Sequence, residues 1–199
     1  MLQSRRTFPA FARAHTIKCL LAFFCAAVGP AASLPAQKAK KEEHVAVPRS
    51  TPRADDVGSI DGMVKAYYSV ITGPPGRARE WDRDRTLYIP DLRFVATEVD
   101  KAGKVKVRIM SHQQFVDAEN AQMVKEGFDE REIHRVTQRF GNIAHVFSTY
   151  ETRKTPDGPL IGRGINSIEL FWDGQRWWIA SAIWDEERPD NPIPKEYLP

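Results

Sequence analysis

Cysteine is scarce in this sequence and confined to one end. The 199 residues contain two, Cys19 and Cys25. The chain beyond residue 33 therefore has no internal disulfide, no thiolate metal site and no cysteine nucleophile. Acidic residues are missing from the first 33 positions, which hold Arg5, Arg6, Arg13 and Lys18. Setting those four cations aside leaves 25 Lys+Arg against 26 Asp+Glu, so the formal charge of +3 is a property of the leader. The rest has no surplus of clustered cations, and nucleic-acid binding is not expected of it. Apolar runs are short as well. The longest, Cys19 to Val28, has ten residues, about half of the roughly 20 needed to cross a bilayer, so no permanent membrane anchor is expected. No glycine loop cradles phosphate, since Gly162-Arg-Gly164 enters a strand pattern. Ser148, Ser167 and Ser181 lack the strand-turn-helix setting of a serine nucleophile.

What is present begins with a leader. Basic residues up to Lys18, the apolar run, and the small residues Gly29-Pro-Ala-Ala-Ser33 follow the order of a secretory signal peptide. Residues 1–33 are expected to be removed on export to the periplasm or beyond, with cleavage after Ala31, Ser33 or Ala36 all compatible. Residues 34–54, with Pro35, Pro48, Pro52 and the run Lys38 to Glu43, bury too little to offset their ordering entropy and read as a flexible tether. Residues 55–188 read as one folded domain, and 189–199 as a Pro-rich tail.

Within the domain, Ile60, Met63, Val64, Tyr67 and Ile71 fall at helical spacing behind the cap candidate Ser59. Trp81 to Tyr88 suggests a second short helix. Leu92–Val99 and Val105–Met110 suggest a strand pair around Lys101-Ala-Gly103. Ser111-His-Gln-Gln114 has capping-box spacing and opens a third helix ending near Gly127. Four strands follow, about 132–140, 143–153, 164–172 and 176–184, separated by Gly141-Asn142, Pro156-Asp-Gly-Pro159 and Asp173-Gly-Gln175.

A two-residue Asp173-Gly174 loop would set Trp172 opposite Gln175. Asn166, Ile168, Leu170, Trp177, Ile179, Ser181 and Ile183 would then share one face, and Trp178, Ala182 and Trp184 the other. Both faces are largely apolar, so both need cover. The helices supply one cover; a second subunit or the Pro-rich tail supplies the other.

This element order resembles the nuclear transport factor 2-like superfamily, nearest its SnoaL-like and ketosteroid-isomerase-like branches. The resemblance is carried by Trp81 in a short second helix, Tyr88-Ile-Pro-Asp-Leu-Arg-Phe94 entering the first strand, and Asp173-Gly-Gln-Arg-Trp-Trp-Ile179, and it spans about residues 57–186. It implies an α+β fold: a conical barrel in which a strongly bent, mixed or antiparallel sheet wraps around three helices that lie mainly on the N-terminal side. It also implies a pocket for a small, partly apolar molecule, and frequent homodimerisation through the sheet.

In the isomerase branch a carboxylate base projects from the first strand. Here that position falls near Ala96 or Thr97, neither of which abstracts a proton, with Glu98 close by; Tyr67 or Tyr68 would supply a phenol. Around Gly141-Asn142, a two-residue loop pairs Gln138 with His145, His134 with Thr149 and Glu132 with Glu151 on one face, where a histidine near a carboxylate suits acid–base chemistry. His112 stands in the first turn of the third helix. The expected ligand-contacting set is Tyr67, Trp81, Tyr88, Glu98, His112, His134, His145, Glu151 and Asn166; no cofactor and no dedicated metal site is expected. The preferred reading is a non-catalytic, exported small-molecule binder or accessory protein with an apolar pocket. An acid–base enzyme (isomerase, dehydratase or hydrolase) and a protein-interaction module with an exposed sheet face are the alternatives.

Overall fold

The computed structural model describes residues 44–199. The expected leader and the first part of the expected tether lie outside the described residues. After the short helix α1 (Ala54–Val57), Ser59 accepts the Gly62 amide at 2.9 Å and opens α2 (Ile60–Ser69). This cap satisfies one of the amides that a helix start leaves without a partner. Met63, Val64, Ala66, Tyr67 and Tyr68 bury one side of α2 against the sheet, each of the larger ones contributing about 1.5–3 kcal/mol. Helix α3 (Trp81–Arg85) leads into β1 (Tyr88–Val99) and β2 (Val105–Met110). Helix α4 (His112–Glu126) starts on the expected capping box: Ser111 accepts from the Gln114 amide at 3.2 Å, and Gln114 accepts from the Ser111 amide at 2.8 Å.

Helix α4 ends at Gly127, whose φ of 80° suits glycine, and a Cβ there would strike the Lys154 carbonyl and Pro75. The Arg79 guanidinium donates to the carbonyls of Gly73 (2.8 Å) and Met123 (2.5 Å). A cation is thereby placed at the negative end of α4.

Strands β3 (Asp129–Phe140), β4 (Ile143–Arg153), β5 (Gly162–Trp172) and β6 (Trp177–Glu186) follow as a meander. The six-stranded sheet has the order β2-β1-β6-β5-β4-β3, antiparallel except where β1 meets β6. It is α+β, strongly curved and not closed.

The two hairpins differ from expectation in instructive ways. The Gly141-Asn142 loop pairs Gln138 with His145 and His134 with Thr149, as read from the sequence. A bulge at Ile133 then shifts the pairing, so that Glu132 lies opposite Tyr150 and Arg131 opposite Glu151. The expected Glu132–Glu151 pair is therefore absent, and the side chains preceding the bulge change face. In the last hairpin Asp173 accepts from the amides of both Gln175 and Arg176. This side-chain turn moves the loop centre, and Trp172 faces Trp177 rather than Gln175. A second bulge, at Ala180, sets Ser181 opposite Glu169 and Ala182 opposite Ile168. Ala182 and Trp184 thus turn inward, correcting the expected faces, and Ile183 is exposed.

Two segments flanking the domain are pinned down. The tail folds back over the outer face: Ile193 is buried, the Tyr197 ring lies 5.0 Å from Phe147, and the Thr149 hydroxyl donates to the Tyr197 carbonyl at 2.7 Å. The later part of the expected tether is held as well. The Val45 amide donates to Asp117 at 2.8 Å, Gln113 donates to the Val45 carbonyl at 2.8 Å, and Val45 and Val47 pack on the core. Two valines and these polar contacts hold a segment whose composition suggested freedom. No helix among the described residues is long and apolar enough to cross a membrane.

Candidate functional site

Between α2, α4 and the inner face of the sheet lies a cavity of about 340 Å³. Its deep part is made by residues that the folding pattern forces inward. Tyr67 comes from α2, Tyr88 and Phe94 from β1, Tyr150 from β4 and Asn166 from β5, and all are buried. Phe115 of α4, Phe128 and Trp184 form aromatic walls; Trp184 packs 6.0 Å from Phe94 and 6.1 Å from Phe115. The rim is charged rather than apolar, with Glu98, Arg108, Glu119, Glu126 and Lys154.

From Asn166 in the lining, a directional hydrogen-bond chain runs away beneath the cavity. The Asn166 amide donates to the Tyr68 oxygen at 3.1 Å, Tyr68 donates to Ser148 at 2.7 Å, and Ser148 donates to Glu132 at 2.6 Å. The chain ends at Arg135, 3.2 Å from Glu132, which also pairs with Asp61 at 2.9 Å. Tyr67 donates to the Asn166 oxygen at 3.4 Å. Burial pushes the Tyr67, Tyr68, Tyr88 and Tyr150 phenols up from their usual range, so each is a neutral hydrogen-bonding group at neutral pH.

Glu130 is the group that sequence reasoning missed. The bulge at Ile133 turns it to the inner face opposite Thr152, whose hydroxyl donates to it at 3.0 Å. Its remaining accessible surface faces the cavity. Burial, and then the nearby Glu186 carboxylate, push its pKa up to about 8, against the lowering effect of the Thr152 hydrogen bond. A carboxyl that titrates near neutrality inside a cavity has the chemistry of a proton donor or acceptor. Its only advance sign in the sequence was an acidic residue at the start of a strand, which is usually a solvated position.

Of the expected ligand-contacting residues, Tyr67, Tyr88, Glu98 and Asn166 line the cavity. Glu98 stands at the rim and pairs with Arg108 at 3.2 Å. Trp81 lies behind the wall, donating to Asn120 at 2.7 Å with its ring 6.1 Å from Phe115. His112 is also behind it: its Nε2 lies 2.9 Å from Asp84, whose other oxygen accepts from Tyr88 at 2.8 Å. Asp84 is fully buried and ties α3, β1 and α4 together. His134, His145 and Glu151 fall on the outer face, away from the cavity. His145 meets Ser167 at 3.0 Å, and Glu151 is bracketed by Arg131 and Arg153. The histidine–carboxylate grouping read from the hairpin is therefore not part of this cavity. Among the described residues no cluster of three or more His, Cys, Asp or Glu is arranged to hold a metal ion.

No protein-family model and no curated protein matches the sequence. Solved structures similar to this chain are described as cystatin-like or NTF2-like. A protein of unknown function with a cystatin-like fold from Nostoc punctiforme has a TM-score of 0.49 at 8% identity, over 65% of this chain and 90% of its own. An NTF2-like protein of unknown function from Silicibacter pomeroyi gives 0.46 at 15% identity, over 65% and 94%. An uncharacterised cystatin-like protein from Caulobacter vibrioides gives 0.48 at 15% identity, over 67% and 90%. The likeness is one of fold, and the fold class stands on the sheet order and helix placement themselves.

Proposed function

We propose that this protein is an exported binder of a small, partly apolar molecule, held in the cavity between α2, α4 and the inner sheet face. The observation that carries this reading is the cavity itself. At about 340 Å³, with aromatic walls and a few convergent polar groups, it falls in the usual range for ligand sites. Export rests on the order of the leader residues. Homodimerisation through the sheet is supported by the outer side of β2, where Val105, Val107 and Ile109 stand more than half exposed beside Ile183. The direct test of binding is a crystal structure of protein purified from its native host. Ordered density for an organic molecule beside Trp184 and Tyr150 supports the reading. A cavity holding only water, together with no response of its residues to a fragment library by NMR, refutes it. A monomeric mass at micromolar concentration would remove the dimer from the proposal.

One observation favours a second reading. Glu130 is an inward-facing, titratable group with a raised pKa, as acid–base chemistry in this cavity requires. Turnover of a carbonyl or ester substrate that falls about a hundredfold or more in Glu130→Gln and follows a titration near 8 would establish it. The interaction-module reading is not supported, because Trp184 lies inside and the cavity is unfilled by side chains.

A further inference from the structure

The charges around the cavity are unevenly matched. Each basic residue of the lining is already paired. Arg108 lies 3.2 Å from both Glu98 and Glu119, Lys154 is 2.7 Å from Glu126, and Arg163 is 2.8 Å from Glu187. Two lining carboxylates, Glu130 on β3 and Glu186 on β6, form no ion pair of 4 Å or less among the described residues; Glu186 is exposed at the cavity mouth, with Arg188, itself paired to Asp185 at 2.6 Å, nearby. The bulges at Ile133 and Ala180 set both on the cavity side of their strands. Glu130 keeps one hydrogen bond, from Thr152, and around the pair stand the rings of Phe128, Tyr150 and Trp184.

An anionic ligand would meet these carboxylates with no free cation to receive it. A neutral apolar ligand would hold Glu130 in its protonated form and draw on neither carboxylate as a charge. A cation draws on both, and the electron-rich ring faces add to its attraction. Resting on the binding reading above, we propose that the cavity takes a small organic cation, an amine with an apolar or aromatic body, its charge set against Glu130 and Glu186.

A proton linkage follows. The groups facing Glu130 are Tyr67 and Tyr68 of α2, Tyr150 and Thr152 of β4, and Glu186 of β6. Near neutral pH the free carboxyl holds a proton. A bound ammonium favours the carboxylate, so binding releases that proton and tightens as pH rises toward 8.

The test compares three probes of nearly one shape: phenethylamine, phenethyl alcohol and 3-phenylpropanoate. Binding is followed by calorimetry in buffers of different ionisation enthalpy and by NMR of the Trp184 indole. Phenethylamine is expected to bind about tenfold or more tighter than the alcohol, with the carboxylate weakest. Its affinity should rise by up to about tenfold per pH unit between pH 6 and 8, with proton release. Glu130→Gln should weaken the amine about tenfold while leaving the alcohol within about twofold, and Glu186→Gln should weaken the amine alone. Equal or tighter binding of the alcohol or the carboxylate overturns the cation inference and leaves the binding reading standing. An amine affinity flat with pH and unchanged in both variants overturns it as well. If none of the three moves the indole signal at millimolar concentration, this inference falls; the binding reading is then decided by the native-host structure.

Discussion

Glu130→Gln is the perturbation that most directly probes the cavity, and it can be read without any ligand. In the fold the Glu130 carboxyl titrates near 8, whereas an unfolded chain holds it near the ordinary 4.5. Below about pH 4.5 both states are protonated and the group contributes no difference. Between about 4.5 and 8 the unfolded state loses its proton first, so stability falls as pH rises. Above 8 the loss is complete. Each pH unit within the window corresponds to about 1.4 kcal/mol; with water in the cavity screening the charge, the total is on the order of 3 kcal/mol. Glutamine keeps the shape and can still accept from Thr152, but it does not titrate. Urea unfolding at pH 4.5, 6, 7.5 and 9 should therefore show variant and parent nearly equal at the acid end. The variant should become more stable by on the order of 3 kcal/mol at the alkaline end. Other titrating groups act on both proteins and cancel in the difference. A stability difference constant to within about 0.5 kcal/mol over this range refutes the assignment.

The remaining predictions concern how the site is held. Ser111→Ala removes half of the capping box on α4 and should cost about 1 kcal/mol in chemical denaturation, with no change in β content by circular dichroism. Asp84→Ala strands the Tyr88 hydroxyl and His112 in the interior and should cost about 3–5 kcal/mol; a loss below about 1 kcal/mol would show that water replaces the carboxylate. Gly164→Ala drives a methyl group against the Tyr150 hydroxyl and the Asp185 carbonyl. It should cost about 1–3 kcal/mol and broaden the NMR signals of cavity residues. Deleting residues 189–199 uncovers Phe147 and frees Thr149. A lowered melting temperature and increased binding of a hydrophobic dye are expected; an unchanged melting temperature would mean that the tail does not stabilise the outer face.

Much of the architecture was legible because its elements announce themselves locally. The stripe from Ile60 to Ile71, the Ser111–Gln114 capping box and the Gly141-Asn142 loop each act within a few residues, and each is found in the structure. The cavity was less legible, because its contents depend on two residues that merely lengthen a strand. Ile133 and Ala180 have ordinary strand chemistry, and nothing in their identity marks them as unpaired. Strict alternation therefore placed Trp184 on the face opposite Asn166, whereas the two are paired on one face, and it left Glu130 unnoticed. Asp84 escaped for a different reason. An acidic residue in a polar helix reads as solvated, and only the convergence of β1 and α4 gives it Tyr88 and His112 as partners. In the other direction, the outer-face histidines looked promising because their register was right, while the concave side of the sheet was the other one.

The two extra residues have a consequence for how this molecule changes over generations. Altering a side chain edits one position of the lining, whereas drawing the extra residue at 133 or 180 into the ladder would restore plain alternation and exchange what one end of a strand presents inside for what it presents outside. With Ala180 paired, Trp184 and Glu186 would give way to Ile183 and Asp185 in one event, while outright loss of residue 180 would leave the inward set as it is. The ligand preference of such a molecule is thus written partly in where its strands carry an unpaired residue, and relatives that pair that residue are expected to diverge in what they hold while keeping the same scaffold.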